Sequence, residues 1–407
     1  MPAANSSCCR LTETAYNFQG DATLWVERAL RSAFIELGEL DPPQPHDDAT
    51  KVTVLWQNKP SAMPLRWFKN QFPLFLAPMA GVSDKIFRQL CKEYGADVLT
   101  TEFVSAEGIF RRNQRTREYL DFDEIERPIG VQLFGGDAEH MAEAARQVVD
   151  WVHPDFVDLN FGCPVNKVVC KNGGSALLKD CPTLAKVAES VVRAIGPVPA
   201  TAKIRIGWDS DSVNAVRVAK TLAECGISAL TVHGRTRAQG YSGVADWTVI
   251  GEVATAVSIP VIGNGDLASA SDVAKRKRET GIAGAMIGRG AMAAPWIFRE
   301  TRSYLENGEV IDPPTLEERW KLILRHCELH VREWGIEEPA IRSMRARLMA
   351  YSRSMSEARR LREKFSQVST LADVESIAEE SILHASTAGK AVSFPNGREA
   401  NSFAYSK

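Results

Sequence analysis

From Phe72 onward, short apolar runs alternate with segments whose apolar residues return every three or four positions. The short runs lie at 74–79, 97–103, 129–134, 156–160, 200–206, 229–233, 260–264 and 284–288. Runs of this length, bounded by Gly and Pro, read as buried parallel strands, and the segments between them as amphipathic helices. One such helix follows a Ser83 cap, with Ile86, Phe87, Leu90, Cys91 and Tyr94 apolar and a stop at Gly95. Eight strand–helix units in strict alternation predict an α/β chain folded as a (β/α)8 TIM barrel over residues 71–312. A doubly wound sheet is the second choice, since it rarely needs eight consecutive units.

The strand pattern stops after Pro313. Residues 316–330, 340–365 and 370–385 read as helices, so a small helical domain is expected over 313–388, then a frayed polar tail over 389–407. The first 70 residues do not match the rest. They hold a possible amphipathic helix at 23–37 and a proline-rich acidic stretch at 38–48, and they are assigned no role.

Composition narrows the setting. With 44% hydrophobic and 25% charged residues among 407, the chain resembles a soluble globular protein. No apolar run is long enough to span a bilayer, and no basic n-region precedes an apolar h-region, so neither a membrane nor secretion is expected. Eight scattered cysteines without a C-x-x-C pair predict neither a metal nor a disulfide frame, and fit a reducing cytoplasmic setting. A monomer is expected. The net charge of −2 does not advertise a nucleic-acid partner, although a local basic patch can act where the sum does not.

The candidate chemistry collects at strand ends. The run Phe156-Val-Asp-Leu-Asn160-Phe-Gly-Cys163-Pro164 puts a thiol at the carboxyl end of the fourth strand, where this fold keeps its chemistry. On the fifth strand Thr201, Lys203 and Arg205 share a face, and two cations there call for an anionic partner. His233 and Arg235 share a face at the end of the sixth. Gly263-Asn264-Gly265-Asp266 follows the seventh and Gly288-Arg289-Gly290 the eighth, which are the usual phosphate-binding positions of such barrels. Gln132 can meet the edge of a heterocycle, and Ala77-Pro78-Met79-Ala80 ends the first strand with apolar surface. The outline is a flat, partly apolar ligand with a phosphate tail, and flavin mononucleotide (FMN) fits it. The first βα turn lacks Gly-x-Gly-x-x-Gly, which argues against a Rossmann-bound dinucleotide.

Taken together, Ala77-Pro-Met-Ala-Gly81, Gln132-Leu133, Asn160-Phe-Gly-Cys-Pro164, Lys203-Ile-Arg-Ile-Gly207, His233-Gly-Arg-Thr236, Asn264-Gly-Asp266 and Gly288-Arg289 resemble the tRNA-dihydrouridine synthase family, its bacterial B-type branch in particular. The resemblance implies that Pro78, Met79, Ala80, Gln132, Lys203, His233, Asn264, Gly265, Asp266, Gly288 and Arg289 hold FMN. It implies that NADPH (or NADH) reduces the flavin, whose N5 passes hydride to C6 of a tRNA uridine. Cys163 would then protonate C5, while Asn160 and Arg205 touch the uracil or its backbone; Arg235, by its place beside His233 at the mouth, is expected as a further substrate contact. A thiol with a free pKa near about 8.5 is protonated at neutral pH and can serve as that acid.

The RNA partner rests on charge. Residues 342–364 hold eight cations against two anions, which puts Arg345 and Arg360 forward as phosphate contacts, with Arg111–Arg117 as a second basic cluster on the rim of the mouth. Two other readings compete. A flavoenzyme acting on free pyrimidines would have no use for the basic helices. A non-catalytic RNA-binding protein would have no use for Cys163.

Overall fold

The computed structural model describes residues 65–69 and 71–387. The helix expected at 23–37, the proline-rich stretch at 38–48 and the tail at 389–407 lie outside the described residues. Among the described residues nine strands form: β1 (Leu74–Leu76), β2 (Leu99–Thr100), β3 (Val104–Ser105), β4 (Ile129–Phe134), β5 (Phe156–Phe161), β6 (Ala200–Arg205), β7 (Ala229–His233), β8 (Val261–Asn264) and β9 (Gly284–Ile287). All pair in parallel, in the order β1-β9-β8-β7-β6-β5-β4-β2, with β3 also on β4. A bridge between Phe75 and Val98 closes the ring, with the Leu76 N–H donating to Val98 O at 3.1 Å. The fold is therefore the eight-membered barrel that the alternation predicts, its second member interrupted between β2 and β3. That interruption frees Glu102 to accept from the Gly81 N–H at 2.9 Å.

The strand period of two sorts side chains between inside and outside. Outward residues such as Leu74, Val131, Leu159, Ile204 and Val232 pack under the helices. Inward residues divide by height. Phe75, Phe156, Ala229, Ile262 and Met286 form an apolar floor beneath which Leu65, Trp67 and Phe68 pack as a stopper. Above that floor the interior is polar, and it opens at the carboxyl ends of the strands.

Helix Ile297–Asn307 closes the barrel's outer layer, with Ile297 and Phe298 in its core; beyond the barrel come helices Leu316–Trp334, Glu337–Ser352, Ala358–Phe365 and Leu371–Thr387. The single helix expected over 340–365 is two. It breaks where the Ser352 hydroxyl donates to Met349 O and the Ser354 hydroxyl to Tyr351 O and Ala293 O, competing with the helical backbone. A second apolar cluster, including Trp320, Ile341, Tyr351 and Phe365, joins these helices to Ile86 and Leu90 of the barrel. Arg347 completes the joint: Nη2 donates to Asp84 Oδ2 at 2.9 Å and to Gly81 O at 3.4 Å, and the guanidinium lies over Phe87. Among the described residues, no helix is long and apolar enough to cross a membrane.

The cap of the first barrel helix is Asp84, which accepts from the Phe87 N–H, and not Ser83. The Ser83 hydroxyl instead accepts from the Met79 N–H and donates to Met79 O. That helix (Lys85–Glu93) is pinned by a buried ion pair, Arg88 Nε to Glu126 Oε2 at 2.6 Å. Arg88 also donates to Ser83 O and Asp121 O. Glu126→Ala leaves this cation buried and unpaired. It is expected to cost about 3–5 kcal/mol, read as a lower urea midpoint at unchanged slope. A midpoint within error of wild type would show that the pair contributes nothing.

Candidate active site

Strand register decides which inward side chains meet. Gln132 pairs with Asp158 and Asp158 with Thr201. One level up, Asn160 pairs with Lys203 and Lys203 with Thr231. At the mouth, Arg205 pairs with His233 and His233 with Asn264. The predicted residues of five strands thus line one interior, which sequence spacing could not show.

Cys163 sits just past β5, with 6% of its surface exposed and outside every hydrophobic cluster. Its loop is clamped from three sides. Asn160 Oδ1 accepts from the Gly162 N–H at 3.0 Å and from the Cys163 N–H at 2.8 Å. Arg205 Nε donates to Gly162 O at 3.0 Å, and the Ser175 hydroxyl to Cys163 O at 2.7 Å. Gly174, at φ +57°, passes so close that a Cβ there would stand 2.9 Å from Cys163 O. Burial pushes the thiol up to about 11, against the pull of the Val165 N–H and the charges of Arg205 and Lys203. The sulfur is therefore a protonated thiol at neutral pH.

The cations are unequally engaged. Arg205 Nη1 donates to Thr236 O and Gly240 O, so this guanidinium finds carbonyls where an anion was expected. Arg235 donates to Ser242 O, Gly243 O and Asp266 Oδ2, while its buried Nη1 has no partner among the described residues. Asp266, at φ +51°, also accepts from Arg289 Nη2 at 3.0 Å. Burial opposes ionisation of Asp266, but hydrogen bonds from Arg235 and the Ala245 N–H outweigh it and hold the carboxyl low. Lys203 and His233 have no hydrogen-bond partner among the described residues. Burial and then the neighbouring Arg205 push Lys203 down to about 8. Burial and the surrounding cations drive His233 well below its ordinary value, so its imidazole is neutral. Asn264 Nδ2 donates to Met286 O, which leaves its Oδ1 free to accept.

Gln132 is fully buried, and both ends of its amide are used: Nε2 donates to Asp158 Oδ2 at 2.6 Å and Oε1 accepts from Asn160 Nδ2 at 2.8 Å. Pro78, Met79 and Ala80 lie half-buried in the loop after β1. Glu102 and Arg347 brace that loop through Gly81, and burial raises Glu102 to about 7. The sequence reading missed Glu102, Ser175, Asp158 and Tyr241. Tyr241 lies under the guanidinium groups of both Arg205 and Arg289. Only Asp158 carried a signal, since it alternates with Asn160 on the same strand face.

The helical arginines are largely spoken for. Arg345 donates to Val368 O and Gln367 O, and Arg360 is paired with Glu357 and Glu380. Arg342, Arg347, Arg359 and Lys364 meet Glu338, Asp84, Glu363 and Glu380. Counting charge within 342–364 overlooked Asp84, Glu338 and Glu380. Arg353 and Arg362 have no ion-pair partner among the described residues. The second basic cluster does not stay on the rim. It runs down the outer wall, from Arg111, paired with Glu107 near the mouth, to Arg117 over Trp151, in the last turn of helix Ala138–Val152.

Residues 75–387 match the family model described as dihydrouridine synthase. The chain belongs to the dihydrouridine synthase family. A protein of Pseudomonas aeruginosa named tRNA-dihydrouridine synthase B is 42% identical over 296 residues, covering 72% of this chain and 88% of that one. One of the same name from Shewanella oneidensis is 38% identical over 312 residues, covering 76% and 95%. Another from Pseudomonas putida is 38% identical over 310 residues, covering 72% and 91%.

The elevated thiol has a measurable consequence. Thiolate is the alkylating form. Iodoacetamide labelling of Cys163, followed by peptide mass spectrometry, should therefore rise about tenfold per pH unit past pH 9. A plateau near pH 9 would mark an ordinary thiol.

Proposed function

We propose that this member of the family reduces the C5=C6 bond of uridines in tRNA, with FMN at the barrel mouth, NADPH (or NADH) as reductant and Cys163 as the acid. The observation that carries this reading is the clamped, protonated Cys163 beside Lys203 in a polar barrel mouth. The donor set suits a flavin phosphate and heterocycle: an unpaired ammonium on Lys203, a neutral unpaired imidazole on His233, and Arg289 beside Gly288. The buried Nη1 of Arg235, without a partner, points the same way. Residues Pro78 to Ala80, Lys203, His233, Asn264 to Asp266, Gly288 and Arg289 would hold the group; Gln132, expected among them, is fully buried with both ends of its amide engaged, so it supports Asn160 and does not face the flavin. Once bound and reduced, it supplies the hydride that enters C6.

The chain's own residues do the rest. Hydride addition at C6 leaves negative charge over C5 and O4 of the uracil. The Cys163 S–H delivers a proton to C5 and becomes a thiolate. Lys203 and Arg205, whose charges already act on that sulfur, lower the cost of this anion. Asn160 and Arg205 keep the thiol's loop in place. Burial under the ring of loops keeps water from competing as proton donor.

RNA is gripped elsewhere. Because Arg345 and Arg360 are directed into internal contacts, the phosphate-binding role falls first to Arg353, exposed at the helix break beside Ala293, and to Arg362. This surface gives the helical part its use, which a reductase of free pyrimidines lacks.

Cys163→Ala should purify with its flavin and accept electrons from NADPH at the wild-type rate. Its tRNA turnover should fall by about 100-fold or more; unchanged turnover would remove the acid role. Arg353→Glu combined with Arg362→Glu should weaken tRNA binding about tenfold or more in 0.1 M salt, with flavin content unchanged. Filter binding at wild-type affinity would place the RNA on another surface.

A further inference from the structure

We propose that Asp158, just above the apolar floor of the barrel, is a positioning residue for Cys163: it sets the polarity of an amide relay that ends on the cysteine's backbone. This rests on the reading of Cys163 as the acid. The Thr201 hydroxyl donates to Asp158 Oδ1 at 2.5 Å, and Gln132 Nε2 donates to Asp158 Oδ2 at 2.6 Å. Asn160 Nδ2 then donates to Gln132 Oε1 at 2.8 Å. Asn160 Oδ1 is left to receive the N–H groups of Gly162 and Cys163 at 3.0 and 2.8 Å.

Each amide can lie either way round, and the choice is forced in sequence. Burial raises the Asp158 carboxyl, against the donors Thr201 and Gln132 and the charge of Lys203; with a donor on each oxygen it serves as an acceptor, so Gln132 turns its NH2 toward it. Its carbonyl therefore faces Asn160, which must answer with its own NH2. Only then does the Asn160 carbonyl face the cysteine loop. Turned over, Asn160 would set an NH2 against two buried N–H donors and leave all three unsatisfied. Every member is shut away from water: Gln132 is 0% exposed, Asp158 5%, Asn160 7% and Thr201 7%. Register fixes the geometry, since Gln132, Asp158 and Thr201 form one row across β4, β5 and β6. Asp158 cannot reach substrate. It borders the closed cavity below, with Trp67, Phe75 and Phe156. Its influence on the mouth passes through Gln132 and Asn160.

The relay can be reversed on purpose. Asn160→Asp removes the NH2 that Gln132 needs. Asp158→Asn combined with Asn160→Asp lets the relay run backwards. The amide now at position 158 donates to the Gln132 carbonyl, and Gln132 turns its NH2 to the carboxylate now at position 160. That carboxylate still accepts from the Cys163 N–H. The measurement is the iodoacetamide alkylation rate of Cys163 in the full flavin-loaded chain, without tRNA. Asn160→Asp should change it at least fivefold, and the double variant should return it to within twofold of wild type. Asp158→Asn alone keeps an acceptor toward Gln132 and should leave both this rate and tRNA turnover within threefold. Asp158→Val should keep NADPH reduction of the flavin while kcat on tRNA falls at least tenfold with KM within threefold. If Asp158→Val does not fold, shown by lost flavin and altered circular dichroism, the reversal pair decides alone. A double variant no better than Asn160→Asp overturns the relay, as does Asp158→Asn losing as much as Asp158→Val. Wild-type protein that never turns over tRNA would instead sink the proposed function, with the alkylation rates still testing the relay.

Discussion

The structure depends on how charge is accommodated inside a closed ring of parallel strands. Such a barrel turns every second side chain inward, and an inward charge without partners is prohibitive. Arg205 and Arg235 solve this with loop carbonyls, so each is also a tie that holds mouth loops together. Asp158 is met by two donors. Among the described residues Lys203 and His233 have no such tie, and they face the interior at and just below the level of Arg205. The polar groups that the fold satisfies shape the mouth; those it leaves open give it an appetite for an anionic, hydrogen-bonding guest.

The same economy links the helical part to the chemistry. Arg347 comes from a helix far along the chain, yet it ends on Asp84 and Gly81, in the loop that follows β1. Glu102 holds Gly81 from the barrel side. That loop carries Pro78, Met79 and Ala80, so the segment proposed to border the flavin is braced by both parts. Beneath Arg347, Phe87 stacks on His326, and His326 Nδ1 shares a hydrogen bond with the Tyr351 hydroxyl. The helical part is thus packed against the site through a buried polar joint, in addition to apolar area.

Much of this was legible in the sequence because strand and helix periods are local properties. Six of the eight predicted strands fall within two residues of their places, and β4 and β7 match in full. Departures came where a side chain competed with the backbone: Ser352 and Ser354 broke a predicted helix, and Asp84 displaced Ser83 as cap. Candidate residues were found by type and strand end, but their partners were not. The register between β5 and β6, set by packing across the ring, decides that Asn160 stands beside Lys203. Likewise, a linear tally of the helical arginines misses Asp84 and Glu380, because ion pairs form in space.

The thiol shows why burial, and not activation, is the device used here. A cysteine meant to attack is given a helix N-terminus or a close cation so that its thiolate persists at neutral pH. Cys163 has cations within electrostatic reach, yet burial outweighs them and holds the proton on sulfur. That balance suits the proposed acid and not a nucleophile, with Lys203 and Arg205 placed to offset the charge of a thiolate. Were Cys163 shifted toward solvent, desolvation would fade while the cations remained. The group would then become an exposed nucleophile, open to oxidation and poor at its task. The clamp of Asn160, Arg205, Ser175 and Gly174 therefore does more than aim the sulfur: by fixing its depth, it fixes which of two chemistries the residue can perform.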